Sequence, residues 1–409
     1  MSAHLAALSH ELVRAQFPAL KSGFGFFENA GGSQVPQCVI DAMTRFMQES
    51  YVQFGSSYEH SARCSKVARD ARAFYNVLFN GGGLGDAAIG PSTTALTHML
   101  AGCFRRALRP GDEVVVSVAN HEANATPWAM LEREGMVVKF WGVDPKTGAS
   151  SLDELQSLLS ERTKIVAFPV TSNLLGDTMP VRQIADMAHR AGARVVVDAV
   201  AYASHQAMDV QAWDADFCVF SNYKVYGPHI AGMWGKREAW LELEGPNHVF
   251  IPRDQIPTKF ELGCVSYEAL AGVLALGEYL RFLAGSSEVN RETVVNGFAQ
   301  MKRLEEPVTR ILLEFLNSRE DVRLVGPTEF SSDRHPTISF AHQSKPSHEI
   351  SAKVNERDFG IRHGHMYSLR LCEALGVAGD PGLVRVSAVH YNTPEEAHRL
   401  VQTLALAMD

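Results

Sequence analysis

The sequence predicts an α/β protein, with a large unit on a mostly parallel sheet and a smaller α+β unit after it. Three observations predict this. Between about residues 85 and 240, short β-branched runs alternate with helical ones, the pattern of strand–helix–strand crossovers. At 409 residues the chain exceeds what one hydrophobic core usually serves. After residue 285 the alternation gives way to mixed strands and helices. The expected units are 22–284 and 285–409, with 1–21 packed on the smaller one.

Residues 1–16 mix His, Glu and Arg with Leu and Ala and predict a short amphipathic helix. They lack the basic start and apolar core of a signal peptide. Runs 114–118, 137–141, 164–170, 195–198 and 217–221 predict strands; 96–108, 152–159 and 181–191 predict helices. Residues 242–262, with Pro246, Pro252 and Pro257, predict an irregular surface loop near a site or interface. Residues 267–317 predict helix broken near Gly285-Ser286-Ser287. Strands at 337–340 and 384–389 and a helix at 394–408 complete the chain.

The net charge of −8 argues against a general nucleic-acid binder. No run approaches the ~18 uninterrupted apolar residues of a membrane span. The six cysteines are scattered without metal-ligand spacing, so no metal is expected and a reducing cytoplasm is the simplest compartment. No G-x-G-x-x-G or Walker pattern marks a nucleotide site.

Asp198 closes the run Val195-Val196-Val197, and Lys224 follows the run Phe217 to Ser221. In an open parallel sheet, ligands bind at the C-terminal ends of strands. A carboxylate and an amine brought to one such crevice match the needs of pyridoxal phosphate, whose pyridine nitrogen takes an acid and whose aldehyde takes an amine. Ser92, Thr93 and Thr94 open an amphipathic helix and offer hydroxyls and free N–H groups to a phosphate. His121, at a strand end, can stack on a planar cofactor and move protons. Asn173 can bond the cofactor's phenolic oxygen. Arg385, on an alternating strand, can clamp a carboxylate.

Together these segments resemble the class V aminotransferase family, the cysteine desulfurase-like group of pyridoxal phosphate enzymes. The likeness runs from about Phe26 to Leu404. Phe27-Glu28-Asn29-Ala30-Gly31-Gly32 looks like the entry motif beside the site. His121-Glu122-Ala123-Asn124 looks like the stacking-histidine motif. Asn173, Asp198, Ser221 and Lys224 fall in the family's order, and Val384-Arg385-Val386 with His390-Tyr391-Asn392-Thr393 resembles its carboxylate-binding strand and following turn. The resemblance implies fold type I with a seven-stranded-type sheet, and a homodimer with active sites at its interface. It also implies Lys224 as the Schiff-base lysine, Asp198 as pyridinium partner, His121 as stacking base and Arg385 as substrate clamp.

The departures bear on the reaction. Group II cysteine desulfurases carry a stretch like Arg-Thr-Gly-His-His-Cys; here it is Arg362-His363-Gly364-His365-Met366-Tyr367. Tyr367 stands at the sulfur-accepting position, and Cys372 lies within a helical run. Ala201 stands where the family carries Gln or His, with His205 nearby. Tyr223 stands where desulfurases have a phosphate-binding His, and Cys264, close to Ser266, where a Thr reaches the partner's phosphate. Asn29, Arg362, His365 and Tyr367 join Arg385 as expected substrate contacts, and His60 is expected near the cofactor. The favoured expectation is β-elimination of the C–S lyase type on an α-amino acid. The alternatives are transamination, epimerisation, and an inactive binding protein on the same fold.

Overall fold

The computed structural model describes residues 8–379 and 382–409. Its main sheet has seven strands. They run, edge to edge, Gly85–Gly90, Ala231–Lys236, Phe217–Ser221, Arg194–Asp198, Thr163–Pro169, Glu113–Ser117 and Val137–Trp141. Ala231–Lys236 is antiparallel to both neighbours; the other pairs are parallel.

Both faces are covered, which is why the central strands read as unbroken apolar runs. Val195, Val197, Cys218 and Phe220 enter one core, and Val196, Phe217 and Val219 the other. The first core also takes helices Glu59–Phe79, Val181–Arg190 and Tyr267–Ala284; the second takes Thr93–Ala107.

Two strands were not legible as strands. Gly85–Gly90 and Ala231–Lys236 are rich in Gly and Ala rather than β-branched residues. Packing explains the composition: a Cβ on Gly232 would stand 2.6 Å from the Tyr75 ring.

A second sheet, wholly antiparallel, runs Arg362–His363, Val384–Ser387, Thr337–His342 and Val322–Val325. Helices Ser347–Asn355 and Pro394–Met408 cover it. The helix Arg291–Asn317 serves both cores: Phe298, Met301 and Leu304 lie in the large one, Val308 and Leu312 in the small one.

The N-terminal segment departs from its expected place. Its helix is only His10–Arg14, and residues 1–7 lie outside the described residues. Leu8, Val13, Phe17 and Leu20 join the large core, because the aromatic cluster of Tyr226, Tyr279 and Tyr391 lies there. Arg14 still reaches the C-terminal unit through Tyr391 O (2.8 Å) and Glu396 (2.9 Å). Phe27, by contrast, belongs to the small core, and Gly25–Phe26 pairs with Phe359–Gly360.

Gly176 ties the units together behind the site. Its φ is +68°, and a Cβ there would stand 2.0 Å from the Arg334 guanidinium and 2.4 Å from Thr337 O. Gly176→Ala is expected to destabilise the protein by about 1–3 kcal/mol. A chemical-denaturation curve that overlays the parent would contradict this account of the contact.

Candidate active site

The C-terminal ends of the central strands open on a cavity lined by Ser92, Thr93, His121, Asp198 and Lys224. It continues into a second space lined by Arg362, Met366, Tyr367 and Arg385; Thr94, His121, Asn173, Tyr223 and Lys224 border both.

Sheet register sets the two charged groups side by side. Asp198 lies opposite Val219, and its neighbouring strand ends at Ser221, leading into the turn Asn222–Lys224. Lys224 is 7% exposed and Asp198 4%. No hydrogen bond or ion pair holds the Lys224 amine among the described residues. Burial first, then the Arg385 charge, lowers its pKa to about 8, against the pull of Asp198. Among the described residues, Asp198 accepts only the Val200 N–H (2.8 Å), and burial raises its pKa to about 6.

His121 accepts the Ala123 N–H at Nδ1 (3.0 Å), which assigns its proton to Nε2. Burial, with Lys224 and Arg385 nearby, pushes its pKa down to about 3, so the ring is neutral. Its ring lies 5.4 Å from that of Tyr367.

The helix Thr93–Ala107 points its N-terminus at the cavity. Ser92 caps it at Ala95 N (3.1 Å), and the first-turn N–H groups have no helical acceptor. Thr93 and Ser221 share a hydroxyl–hydroxyl hydrogen bond. Tyr223 stacks on His229 with centroids 4.9 Å apart and turns its hydroxyl to Ser221.

Arg385, 2% exposed, donates from Nη1 to Asn173 O (3.1 Å), while its buried Nε has no partner. Burial lowers its pKa to about 10. Arg362 lies directly opposite in the sheet and pairs with Glu28 at 2.9 Å.

The loop carrying Tyr367 is held from the large unit. Met366 and Tyr367 are consecutive non-glycine residues with φ of +43° and +60°, a strained arrangement that needs outside support. Asn173 Nδ2 donates to Met366 O (3.0 Å) and its Oδ1 accepts from Ser368 (2.8 Å). Glu122 N–H donates to Tyr367 O (2.7 Å). The Glu122 carboxylate binds Arg370.

Several expectations need correcting. Asn29 is near the site, but its side chain is fully occupied: Nδ2 donates to Phe26 O, Ser387 O and Asn392, and Oδ1 accepts from Tyr391. That makes it a structural tie rather than a substrate contact. His365 is exposed, accepts the Tyr367 N–H and does not line the cavity. His60 is exposed and bonded to Glu49 O (2.8 Å), outside the cavity. His205 is paired with buried Glu305 (3.0 Å), so it does not replace the side chain missing at Ala201. Asn173 keeps one amide hydrogen for a ligand, since Met366 O takes the other. Ser368 and Arg370 were missed as site-builders; their contacts with Asn173 and Glu122 span 195 and 248 residues and leave no local pattern.

Residues 25–400 match the family model for class-V aminotransferases. The chain belongs to the class-V aminotransferase family. It is 34% identical over 412 residues to an "aminotransferase-like protein" of Gibberella zeae, covering 98% of this chain and 99% of that one. It is 30% identical to a cysteine desulfurase of Pectobacterium atrosepticum, covering 96% and 97%. The crystal structure of the cysteine desulfurase CsdA from Escherichia coli superposes with a TM-score of 0.82 at 26% identity, covering 98% and 99%. The family is one of pyridoxal-phosphate enzymes of fold type I, and this chain is one of them. Its site fits the cofactor: a buried amine without a partner, a buried carboxylate with a single N–H, and a helix N-terminus face one cavity.

Burial of the Asp198 charge has a testable cost. Its folded pKa lies above the unfolded value, so the penalty is absent below about pH 4 and complete above about pH 6. In cofactor-free protein, Asp198→Asn is therefore expected to be more stable than the parent by about 1–3 kcal/mol at pH 7–8. The gain should vanish near pH 4. Equal stabilities across the range would contradict the raised pKa.

Proposed function

We propose that the protein catalyses β-elimination on an α-amino acid with a sulfur leaving group, a C–S lyase reaction. The observation that carries the proposal is Tyr367. It stands at the position that resembles the desulfurase acceptor cysteine and faces His121 across the cavity. Cys372, the nearest thiol in sequence, is buried, and its pKa is pushed up to about 11. Transfer of sulfur to a protein thiol needs an accessible thiolate; elimination needs none.

In this proposal Ser92, Thr93, Thr94, Ser221 and Tyr223 hold the cofactor phosphate. Asp198 would pair with the pyridine nitrogen, His121 would stack on the ring, and Asn173 would bond the phenolic oxygen. Bound there, pyridoxal phosphate supplies an electrophilic carbon for amines and a sink for the electron pair of Cα. Arg385 takes the substrate carboxylate with its unpartnered Nε and a second N–H. Lys224 Nζ, neutral above about pH 8, takes the Cα proton. The Cβ–S pair leaves with sulfur, and the Tyr367 hydroxyl supplies the proton. The released enamine takes up water to give pyruvate and ammonium. Arg362 and Tyr367 orient the side chain.

Transamination is the second possibility, favoured by the aminotransferase-like relative at 34% identity. Visible spectra of the protein and of Lys224→Ala, with cysteine, cystine and thioethers, separate the two. The expected result is a visible cofactor band lost in the variant, with pyruvate and sulfide formed without added keto acid. Spectral bleaching reversed only by a keto acid would establish transamination instead. A protein that stays colourless with added cofactor would end the Lys224 assignment.

We further propose a homodimer. The groove lined by Val35, Ile40, Met43, Met47, Pro228 and Ala269 adjoins Tyr223 and is predominantly apolar, as an obligate interface is. Analytical ultracentrifugation should give twice 44.9 kDa, reduced to one chain by Ile40→Glu/Met47→Glu. A monomeric parent would refute it. No described helix is long and apolar enough to cross a membrane, and six free cysteines fit the cytoplasm.

A further inference from the structure

Two residues past Lys224, Tyr226 has a φ of +60°, a conformation that bulky L-residues rarely adopt. It is completely buried. The backbone on either side of Lys224 is bracketed by Ser33. Ser33 Oγ accepts the Tyr226 N–H (2.9 Å) and donates to Tyr223 O (3.3 Å), and Ser33 N–H donates to the same carbonyl (3.0 Å). Asn222 O closes the turn by accepting from Val225 N (2.8 Å) and Gly227 N (2.9 Å).

The Tyr226 side chain is fixed by a chain of hydrogen bonds whose direction can be assigned throughout. Its hydroxyl donates to Ser204 O (2.8 Å). It must therefore accept from His390 Nδ1 (3.1 Å), which places the imidazole proton there. Nε2 of His390 is then an acceptor, for the Tyr279 hydroxyl. The run is Tyr279 O–H to His390, His390 N–H to Tyr226, Tyr226 O–H to Ser204 O. Every side chain in it is buried, and the Phe17 ring covers it edge-on, 5.4 Å from Tyr279 and 6.0 Å from His390. Each ring nitrogen has one role and the Tyr226 hydroxyl both accepts and donates, so removing one group strands its neighbour. None of these groups lines the cavity.

We propose that Tyr226, held in its left-handed turn by this hydroxyl–imidazole chain, is the positioning residue that aims Lys224 into the cavity. The inference rests on Lys224 being the amine that meets the cofactor. It deepens that assignment by naming what keeps a long, flexible side chain pointed one way without a partner. Lys224 faces Asp198 from its own sheet, Arg385 and Arg362 from the small sheet and Glu28 from the entry strand. The direction of the amine decides which of these charges dominates.

The test is the pH dependence of Lys224 acylation in cofactor-free protein, followed by mass spectrometry of the Lys224 peptide. The same variants are titrated by visible absorbance after loading. The parent should label with a midpoint near 8. Tyr226→Phe, which removes one oxygen, frees the turn and lets the amine reach water. Its midpoint should rise by about half to one unit, the range for one lost hydrogen bond. Tyr279→Phe should shift it the same way by less. The double variant should match Tyr226→Phe alone, because a chain already broken cannot be broken again; shifts that add would overturn the proposal. So would folded Tyr226→Phe protein with an unchanged midpoint. If Tyr226→Phe does not fold, an unshifted Tyr279→Phe has the same force. A parent that labels as expected but binds no cofactor would refute the proposed function and leave the positioning chain standing.

Discussion

An amine and a carboxylate buried at the ends of two adjacent strands, with no ion pair between them, form the constraint around which the site is arranged. Water would solvate both, and a salt bridge would satisfy both, so the protein gives up stability to keep them apart. The expense shows in the pKa values: Lys224 is lowered to about 8 and Asp198 raised to about 6, both by burial first. Only a rigid frame holds such groups in place. The seven-stranded sheet, packed on both faces, fixes Asp198. The Lys224 turn, lying beyond the end of its strand, is held by Ser33, Asn222 and Tyr226 instead.

The second sheet supplies what the first lacks. Arg385 reaches the cavity from a strand paired with Arg362–His363 and Thr337–His342, yet its only described hydrogen bond is to Asn173 O beside the main sheet. Asn173 in turn grips Met366 and Ser368, and Glu122 grips Arg370. Asn173, which borders both spaces, therefore also holds the loop that lines the second. A shift of the small sheet would strain the Met366–Tyr367 turn and move Arg385 together.

Much of this was legible because the chemistry sits at strand ends. Asp198 after three valines and Lys224 after an apolar run are local signals, and register alone brings them together. The helix expected over 394–408 is present, and the structure opens it on a Thr393–Glu396 capping box. Strands built of Gly and Ala were not legible, since their composition answers to the packing of Tyr75 from a distant helix on Gly232 and of Trp240 on Gly235. Asn29 illustrates the opposite failure: a motif marked its importance, but only the fold reveals that Tyr391, Asn392 and Ser387 take up all of its bonds. The placing of residues 8–20 on the large core also depended on a tertiary feature, the aromatic cluster around Phe17.

Charge at the substrate end points to what the cavity accepts under the proposed function. Arg385 and Arg362 bring two positive charges, and Glu28 pairs with one of them. One guanidinium is left over, and it is the buried one with an unpartnered Nε. An unpaired buried cation is costly until an anion arrives, so binding a single α-carboxylate removes a penalty already present in the free protein. An apolar or uncharged ligand would leave that penalty in place. Under the proposed function the amino-acid backbone is recognised through Arg385, while the side chain meets groups already paired: Glu28 with Arg362, and Tyr367 against His121.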